Sequence, residues 1–309
     1  MKKTKYIHLT ILLLSITLVS CEKKLEYQLI NQKPQVVMYA FPMPDSTLKI
    51  HGSYSTDILS TIDFKGIEGL EYSISVNEEE KHTGTYPTGE IWHYTAELEG
   101  KSGNNYRLEF QLPNGNKTWG STTVPHPISI LNLDTITTTY TNTDGSIEKM
   151  LRCSVEINDP EEAENYYQIR VDYIEYDLSG QLAPNIATVT YIKEDKVFLV
   201  RKDDSSVLLA DVDLQGTFTD YLFNGKNYKI KLLIPEKYLN NSSDTLATKL
   251  IVHLYTLTPE YYSFLRSSIE ESAIKDYPVF DPVNQYSNIN NGVGVVAGLA
   301  VAKDTLLLQ

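Results

Sequence analysis

Short runs of alternating apolar and polar residues, rich in β-branched and aromatic side chains, recur along the chain from residue 36 onward. In Leu70–Val76, for example, Leu, Tyr, Ile and Val alternate with Glu and Ser, which gives a strand one apolar face and one polar face. Clusters of Gly, Asn, Asp and Pro separate the runs and favour turns. This periodicity indicates antiparallel sheets that bury one face, and it predicts a mainly β protein.

The first set of runs predicts a β-sandwich domain over residues 34–125. Six strands fall within about 90 residues, with turn signals roughly every 8–12 residues, which is typical of an immunoglobulin-like sandwich. Pro125 and Pro127 interrupt the pattern, because neither proline can continue a central strand. The six predicted strands are Val36–Ala40, Leu48–Tyr54, Leu70–Val76, Trp92–Leu98, Tyr106–Leu112 and Lys117–Val124.

A second set of runs predicts a β-rich domain over residues 126–309, also of sandwich type, with one longer helix. Thr258 can cap this helix, Pro259 suits its first position, and apolar residues then recur at helical spacing, so the helix is predicted over residues 259–275. The apolar, glycine-containing tail Gly292–Leu308 predicts one or two final strands. The other predicted strands are Met150–Ile157, Tyr166–Tyr176, Ala187–Tyr191, Val197–Arg201, Tyr228–Ile234 and Leu250–Tyr255.

The N-terminus has the parts of a bacterial lipoprotein signal peptide. A basic start at residues 2–5 precedes the mainly apolar run Ile7–Val19, which is too short to cross a bilayer of about 30 Å as a helix. The sequence Leu-Val-Ser-Cys that ends at Cys21 resembles a lipobox, in which the cysteine thiol receives diacylglycerol before cleavage. We therefore predict a signal peptide over residues 1–20, a lipidated Cys21 with two or three acyl chains, and a polar tether over residues 21–33.

Charge and cysteine content limit the partners and the means of stabilisation. Without residues 1–20 the chain keeps 24 Lys and Arg against 40 Asp and Glu, a formal charge of −16, and this acidity excludes nucleic acid as a partner. Cys153 is the second of only two cysteines. If Cys21 is acylated, Cys153 has no disulfide partner, and its place in an alternating run predicts a buried packing residue rather than a nucleophile.

Several motifs spread along the chain point to one family. They are the lipobox Cys21, Gln35-Val36-Val37-Met38, Gly103-Asn104-Asn105-Tyr106-Arg107-Leu108, Thr122-Thr123-Val124-Pro125, Asn165-Tyr166-Tyr167, Leu257-Thr258-Pro259-Glu260-Tyr261-Tyr262 and Tyr286-Ser287-Asn288-Ile289-Asn290-Asn291-Gly292-Val293-Gly294-Val295. Together they resemble domain-of-unknown-function family 4249, lipoproteins of Bacteroidetes, over nearly all of residues 21–309. The last motif is the most specific, although Val295-Val296 stands where family members usually have an aromatic residue. The resemblance implies an outer-membrane lipoprotein, often encoded beside a TonB-dependent receptor, and it implies no reaction.

Motifs that carry catalysis or bind a metal are sparse. The six histidines lack the spacing of a zinc site, so no metal, cofactor or catalytic residue is predicted. Ser272 and Lys275 match Ser-x-x-Lys, but the Ser-Asp-Asn and Lys-Thr-Gly elements of penicillin-recognising enzymes are missing. Asp203-Asp204 and Asp211-x-Asp213 could offer oxygens to Ca²⁺, yet they lack the spacing of an EF-hand loop and fit the solvated turns of an acidic protein.

Two classes of function remain. The first is a non-catalytic accessory or binding protein that works with an outer-membrane receptor, and the missing catalytic motifs favour it. The second is an envelope hydrolase on glycans or peptides, because a glycosidase needs only two suitably spaced carboxylates, which one sequence does not reveal. The 22 tyrosines suit sugar stacking or a protein interface, but strand packing with the hydroxyl in water is the favoured explanation, because alternation along Tyr166–Tyr176 already accounts for where the rings point.

Two hydroxyl residues are candidates for O-glycosylation, Ser46 and Thr245. Each follows an Asp, as the periplasmic glycosylation signal of this bacterial group requires, and each is predicted in a polar turn where a glycan costs no packing. The tether mixes its acids with Lys23 and Lys24, so both the periplasmic and the cell-surface face of the outer membrane remain open.

The lipid anchor gives the first testable prediction. Replacing Cys21→Ala removes the thiol that forms the thioether, so the precursor is expected to stay uncut or the protein to become soluble. Cell fractionation with an immunoblot measures both outcomes. Unchanged processing and membrane fractionation of this variant would contradict the prediction.

Overall fold

The computed structural model describes residues 34–56, 66–87, 93–161, 163–177, 185–199, 213–238, 245–274 and 284–308. Residues 35–309 form one compact unit. Within the described ranges, no helix is both long enough and apolar enough to cross a membrane. The predicted features that lie outside the described residues are the signal peptide, Cys21, the tether, Asp203, Asp204, Asp211 and Lys275.

Strands dominate the described part of the chain, and a single α-helix accompanies them, so the prediction of a mainly β protein with one longer helix is confirmed. The helix, α1, spans Pro259–Ile274. The strands are β1 Val36–Ala40, β2 Thr47–Tyr54, β3 Glu71–Val76, β4 Glu79–Thr85, β5 Tyr94–Glu99, β6 Asn105–Gln111, β7 Lys117–Thr123, β8 Ile130–Thr141, β9 Ile147–Asn158, β10 Tyr166–Asp177, β11 Asn185–Thr188, β12 Ile192–Lys193, β13 Thr217–Thr219, β14 Asn227–Pro235, β15 Thr245–Leu257, β16 Val293–Val296 and β17 Leu299–Leu308.

Two four-stranded sheets, with strand orders β16-β1-β2-β5 and β4-β3-β6-β7, enclose the first hydrophobic core. Period-two alternation decides which residues enter it: β3 buries Tyr72, Ile74 and Val76 and directs the residues between them outward. Met38 and Phe110 from opposite sheets are fully buried. Each such side chain stabilises the fold by about 1.5–3 kcal/mol relative to leaving it exposed.

Two further sheets enclose the second hydrophobic core. One has the order β12-β14-β9-β8, and the other has the order β11-β10-β15-β17 with β13 paired to β10. Alternate residues again point inward, such as Val171 in β10, Val252 in β15 and Leu232 in β14, all of them fully buried. Cys153 lies in this core, so the prediction of a buried packing cysteine is confirmed. Burial raises the pKa of its thiol to about 12, so it is not a nucleophile at neutral pH.

The C-terminal part of the chain returns to the first sandwich. We call residues 288–298 the return segment. Its strand β16 pairs in parallel with β1, in the register Val37↔Val293 to Ala40↔Val296. Ile289 and Val296 also enter the first core. The first core therefore draws on residues from both predicted ranges, 34–125 and 126–309, and the division of the chain at residue 125 stays a prediction.

Asparagines join the return segment to β7 of the opposite sheet. Asn290 exchanges two backbone hydrogen bonds with Trp119: its N–H donates to the Trp119 carbonyl at 2.8 Å, and its carbonyl accepts at 3.3 Å. The carbonyl of Asn291 accepts from the Thr118 hydroxyl at 3.1 Å. The return segment thus bonds to β7 in one sheet and, through β16, to β1 in the other, and it joins the two layers of the first sandwich.

Close packing explains two glycines at this junction. Gly294 has a φ of +111°, and a Cβ there would lie 2.1 Å from the carbonyl oxygen of Met38. Gly120 in β7 faces the return segment, and a Cβ there would lie 2.6 Å from Cδ1 of Ile289. At Gly294 only glycine lets the two backbones meet at this separation, and at Gly120 a side chain would press on the side chains of Ile289 and Val296.

Helix α1 links the first sandwich to the second through aromatic contacts. Its cap is the predicted one, because the Thr258 hydroxyl accepts a hydrogen bond from the Tyr261 N–H at 3.3 Å. The ring contacts of α1 are Tyr39–Phe264 at 5.7 Å, Phe41–Tyr261 at 5.5 Å and Tyr166–Tyr262 at 4.8 Å between centroids. The first two lie on β1 and its C-terminal extension, and the third lies on β10.

Some strands differ from the sequence-based prediction. Val197–Arg201 was predicted as a strand, which is wrong: Lys196–Phe198 is a 3-10 helix capped by Asp195, whose carboxylate accepts from the Val197 N–H. β4 and β8 were not predicted. β4 is charged and mostly exposed, and β8 is threonine-rich with no strict alternation of buried and exposed residues, so neither carries a clear period-two signal.

A glycine comparison tests the importance of the return segment. Gly294→Ala is expected to lower the free energy of unfolding by about 3 kcal/mol or more, because it adds a backbone clash to an unfavourable φ. Gly115→Ala is the matched control: its φ is +83°, but nothing lies within 4 Å of the new Cβ, so only the backbone cost of about 1–2 kcal/mol applies. Denaturant unfolding measures both, and equal losses would contradict the role of the close approach.

Candidate functional site

Charged side chains from three strands meet on the outer face of the sheet that contains β10, β15 and β17. Arg170, His253 and Lys303 stand directly opposite one another across the three strands. The Arg170 guanidinium donates to the Asp172 carboxylate at 2.9 Å, and the Thr188 hydroxyl donates to the same carboxylate at 2.9 Å. We call Arg170, Asp172, Thr188, His253 and Lys303 the β10–β15 cluster.

His253 is the buried centre of this cluster. It is 7% exposed, and Asp172 is 6% exposed. Nε2 of His253 lies 3.0 Å from Oδ2 of Asp172, but neither ring nitrogen has the geometry of a hydrogen bond. The contact is therefore electrostatic. The Tyr255 ring stacks nearly parallel to the imidazole, with 6.2 Å between the ring centroids.

Burial and neighbouring cations set the protonation of the cluster. Burial is the largest influence on His253 and lowers its pKa; Lys303 and Arg170 lower it further, while Asp172 opposes them. Burial raises the pKa of the Asp172 carboxyl, but the hydrogen bonds from Arg170 and Thr188 outweigh burial, so the net pKa lies below its usual value. At neutral pH the cluster therefore has a neutral imidazole beside an ionised carboxylate.

A carboxylate next to a histidine supplies two of the three groups of a hydrolytic triad. In a triad the second imidazole nitrogen holds a Ser, Thr or Cys nucleophile by a hydrogen bond. Both nitrogens of His253 lack such a partner. Thr188 instead donates its hydroxyl proton to Asp172. Asp172 forms its ion pair with Arg170, and no hydroxyl or thiol of the described residues is hydrogen-bonded to His253.

Two buried carboxylates form a second polar centre. Asp159 accepts from the Tyr167 hydroxyl at 2.5 Å and from the Gly225 N–H at 2.9 Å. Asp220 accepts from the Asn165 N–H at 2.8 Å. Burial, followed by the charge of Asp159, raises the pKa of the Asp220 carboxyl, against the hydrogen bonds from Asn165. Both carboxylates are almost completely buried. They do not face each other across an open cleft, as a glycosidase pair would.

A shallow polar depression of about 440 Å³ lies on the outer face of the first sandwich. Glu71, Glu109 and Lys117 are among the residues that line it. Glu109 accepts from Lys117 at 2.6 Å and from Arg107 at 2.9 Å, and these cations lower the pKa of its carboxyl, Lys117 most of all. The Arg107 guanidinium in turn lies 3.8 Å from the Trp119 ring centroid. Glu109 is thus held ionised and is unsuited to act as a general acid.

Four residues that the sequence singled out as possible sites lie in the described part of the chain. Ser46 lies partly exposed in the turn before β2, where its carbonyl accepts from the Gly100 N–H. Thr245 is the first residue of β15 rather than part of a turn. Glycosylation at both positions stays a prediction. Ser272 is exposed in the last turn of α1, and Asp213 pairs with Lys193 at 2.5 Å. Within the described residues, no three His, Cys, Asp or Glu side chains are placed to hold a metal.

Many tyrosines of the described residues pack against other rings. Tyr86 and Tyr167 are fully buried, and Tyr173 contacts Tyr238 at 5.7 Å. This use in cores and at the helix contact accounts for much of the tyrosine excess without a ligand.

Comparison with known proteins places the chain in a family. A family model, Domain of unknown function (DUF4249), matches residues 22–305, and the chain belongs to that family. No curated protein matches the sequence. Solved structures with some similarity include a two fibronectin type-III domain segment from chicken tenascin (11% identity, 72% of this chain and 91% of that chain, TM-score 0.22). Another comes from work on carbohydrate-binding modules of the β-sandwich superfamily (10% identity, 73% and 96%, TM-score 0.19). These TM-scores are too low to carry an argument.

The buried imidazole gives a pH-dependent prediction. Because the folded pKa of His253 lies below 6.5, the unfolded chain binds a proton more readily, and His253 is expected to destabilise the fold as the pH falls below about 6.5. The loss is about 1.4 kcal/mol per unit of pKa difference. His253→Gln removes this loss, whereas His93→Gln changes an exposed residue and leaves it. Urea unfolding between about pH 5 and 7.5 measures it, and the same slope in all three proteins would contradict the prediction.

Proposed function

We propose that the protein is a lipid-anchored protein of the outer membrane that acts as a non-catalytic accessory or binding protein of a TonB-dependent receptor. The N-terminal sequence supports the anchor, because a basic start, a short apolar run and a lipobox ending at Cys21 occur in the right order. The charge of the mature chain supports attachment by lipid rather than by adhesion to anionic headgroups.

Three carboxylates of the described residues are engaged in internal hydrogen bonds and ion pairs. This observation favours binding over catalysis, and it carries the proposal. Asp172 is occupied by Arg170 and Thr188, Asp159 by Tyr167 and Gly225, and Glu109 by Lys117 and Arg107. A catalytic acid or base must be able to exchange a proton with a substrate in an accessible cleft. Groups that are buried or committed to internal ion pairs position the chain instead.

The alternative is an envelope hydrolase on glycans or peptides, and one observation favours it. Asp172 and His253 are close enough to polarise a water molecule if a substrate displaces the neighbouring side chains. Incubation of the purified protein with cell-wall glycan and with casein tests this alternative. Product formation that disappears in His253→Gln, with the fold retained, would establish hydrolysis.

Purification from detergent-solubilised outer membrane tests the proposal. A C-terminally tagged protein is expected to retain a TonB-dependent receptor at near-equal amounts, and a tagged Cys21→Ala variant, which lacks the anchor, serves as the control for binding after lysis. Recovery of the anchored protein without any such receptor would contradict the proposed partnership while leaving the anchor intact.

A further inference from the structure

Two neighbouring apolar side chains project into solvent from a short 3-10 helix, Asp220–Leu222, between β13 and β14. Tyr221 is 65% exposed and Leu222 is 41% exposed. The aromatic residues on either side, Phe218 and Phe223, are buried in the second core. Tyr221 and Leu222 therefore face solvent between two aromatic residues that face the core, and we call this pair the 221–222 tip.

Hydrogen bonds on either side of the tip fix its backbone. Asp220, directly before it, accepts from the Asn165 N–H, and the Asp220 N–H donates to the Asn165 carbonyl at 3.1 Å. Asp159 connects the same loop to Gly225, just after the tip. The Phe223 N–H donates to the Asp220 carbonyl at 2.7 Å and closes the turn. A backbone that is already fixed loses little conformational entropy on binding, which favours its use in an interface.

Two glutamates lie near the turn that carries the tip. Glu161 packs against the turn, since a Cβ on Gly225 would lie 2.9 Å from its side chain. The charge of Glu164 raises the pKa of Asp220, so Glu164 also lies close by. Both glutamates are exposed, whereas Lys226 is the exposed cation of the same turn. The immediate surroundings of the tip are therefore net negative.

We propose that the 221–222 tip is a docking site for a partner protein that has an apolar pocket with a basic rim. Apolar side chains at the centre and charges at the edge are the usual anatomy of a protein interface. A second copy of this chain does not fit, because without residues 1–20 it would bring the same acids and a formal charge of −16 against them. The proposal rests on the proposed function, in that the partner is the receptor this protein accompanies.

Photocrosslinking in intact cells tests the tip in the full, anchored protein. Tyr221→p-benzoylphenylalanine places a reactive ring at the tip, and Ile147→p-benzoylphenylalanine is the control at a residue that is 72% exposed elsewhere. The expected result is one discrete adduct from position 221 and none from position 147. Sequencing of the joined peptide is expected to find an apolar residue with Lys or Arg close to it.

Two variants separate the contributions of the tip and its rim. Leu222→Ser in the crosslinking protein is expected to reduce the adduct about tenfold or more, as truncation at a hot spot does. Glu161→Gln with Glu164→Gln is expected to reduce it less and to weaken its dependence on salt. These are surface positions, with Leu222 at 41% exposure, so only a small shift of the unfolding midpoint is expected, and thermal unfolding of each variant checks that the fold is retained.

The outcomes distinguish this inference from the proposed function. A receptor that co-purifies with the protein but gives no adduct at position 221 overturns the docking site and leaves the proposed function standing. An adduct to a protein other than the receptor overturns the docking site as proposed, while the co-purification decides the receptor partnership by itself. An adduct to a second copy, or equal adducts from positions 221 and 147, overturns the docking site.

Discussion

The parallel pairing of β16 with β1 is the interaction on which the rest of the structure depends. It takes residues near the C-terminus into the sheet that begins the described chain, and Ile289 and Val296 then complete the first core. Because Gly298 and Leu299 follow at once, the same stretch leads directly into β17 of the second sandwich. A change that disturbs this pairing therefore opens the edge of β1, removes apolar contacts from one core and displaces the entry to a strand of the other.

Local patterns predicted the class of the fold and most of its elements. Alternation in Leu70–Val76 and the cap and first-turn residues of α1 are short-range signals, and the structure has a strand and a helix there. The partner of β16 could not be found in the same way, because a parallel pairing across more than 250 residues leaves no periodic signal. The glycines of that stretch were part of the family motif, and the close approach to Met38 is the physical reason for one of them.

The polar clusters show why no catalytic residue could be recognised from sequence. Arg170, Asp172 and His253 are separated by up to 83 positions and meet only because β10 and β15 pair in one register. In the assembled cluster, burial first and then the neighbouring cations lower the pKa of the imidazole, while the hydrogen bonds from Arg170 and Thr188 hold the carboxylate ionised. Asp220 shows the opposite direction, a raised carboxyl pKa, because burial is its largest influence. Acidification therefore destabilises the β10–β15 cluster, where His253 gains a charge, and it stabilises the surroundings of Asp220, where a buried carboxylate loses its charge.

The return segment also has a consequence for the order in which the molecule can be completed. The ribosome synthesises the chain from its N-terminus, so the residues of β1 to β7 are made long before residues 288–298. Until then β1 has an unpaired edge with free N–H and C=O groups, which is a template for association with other strands. The first sandwich to be synthesised therefore stays open until residues near the C-terminus are made, immediately before β17 completes a sheet of the second sandwich. The time for which that edge is exposed is set by the length of chain between β1 and β16.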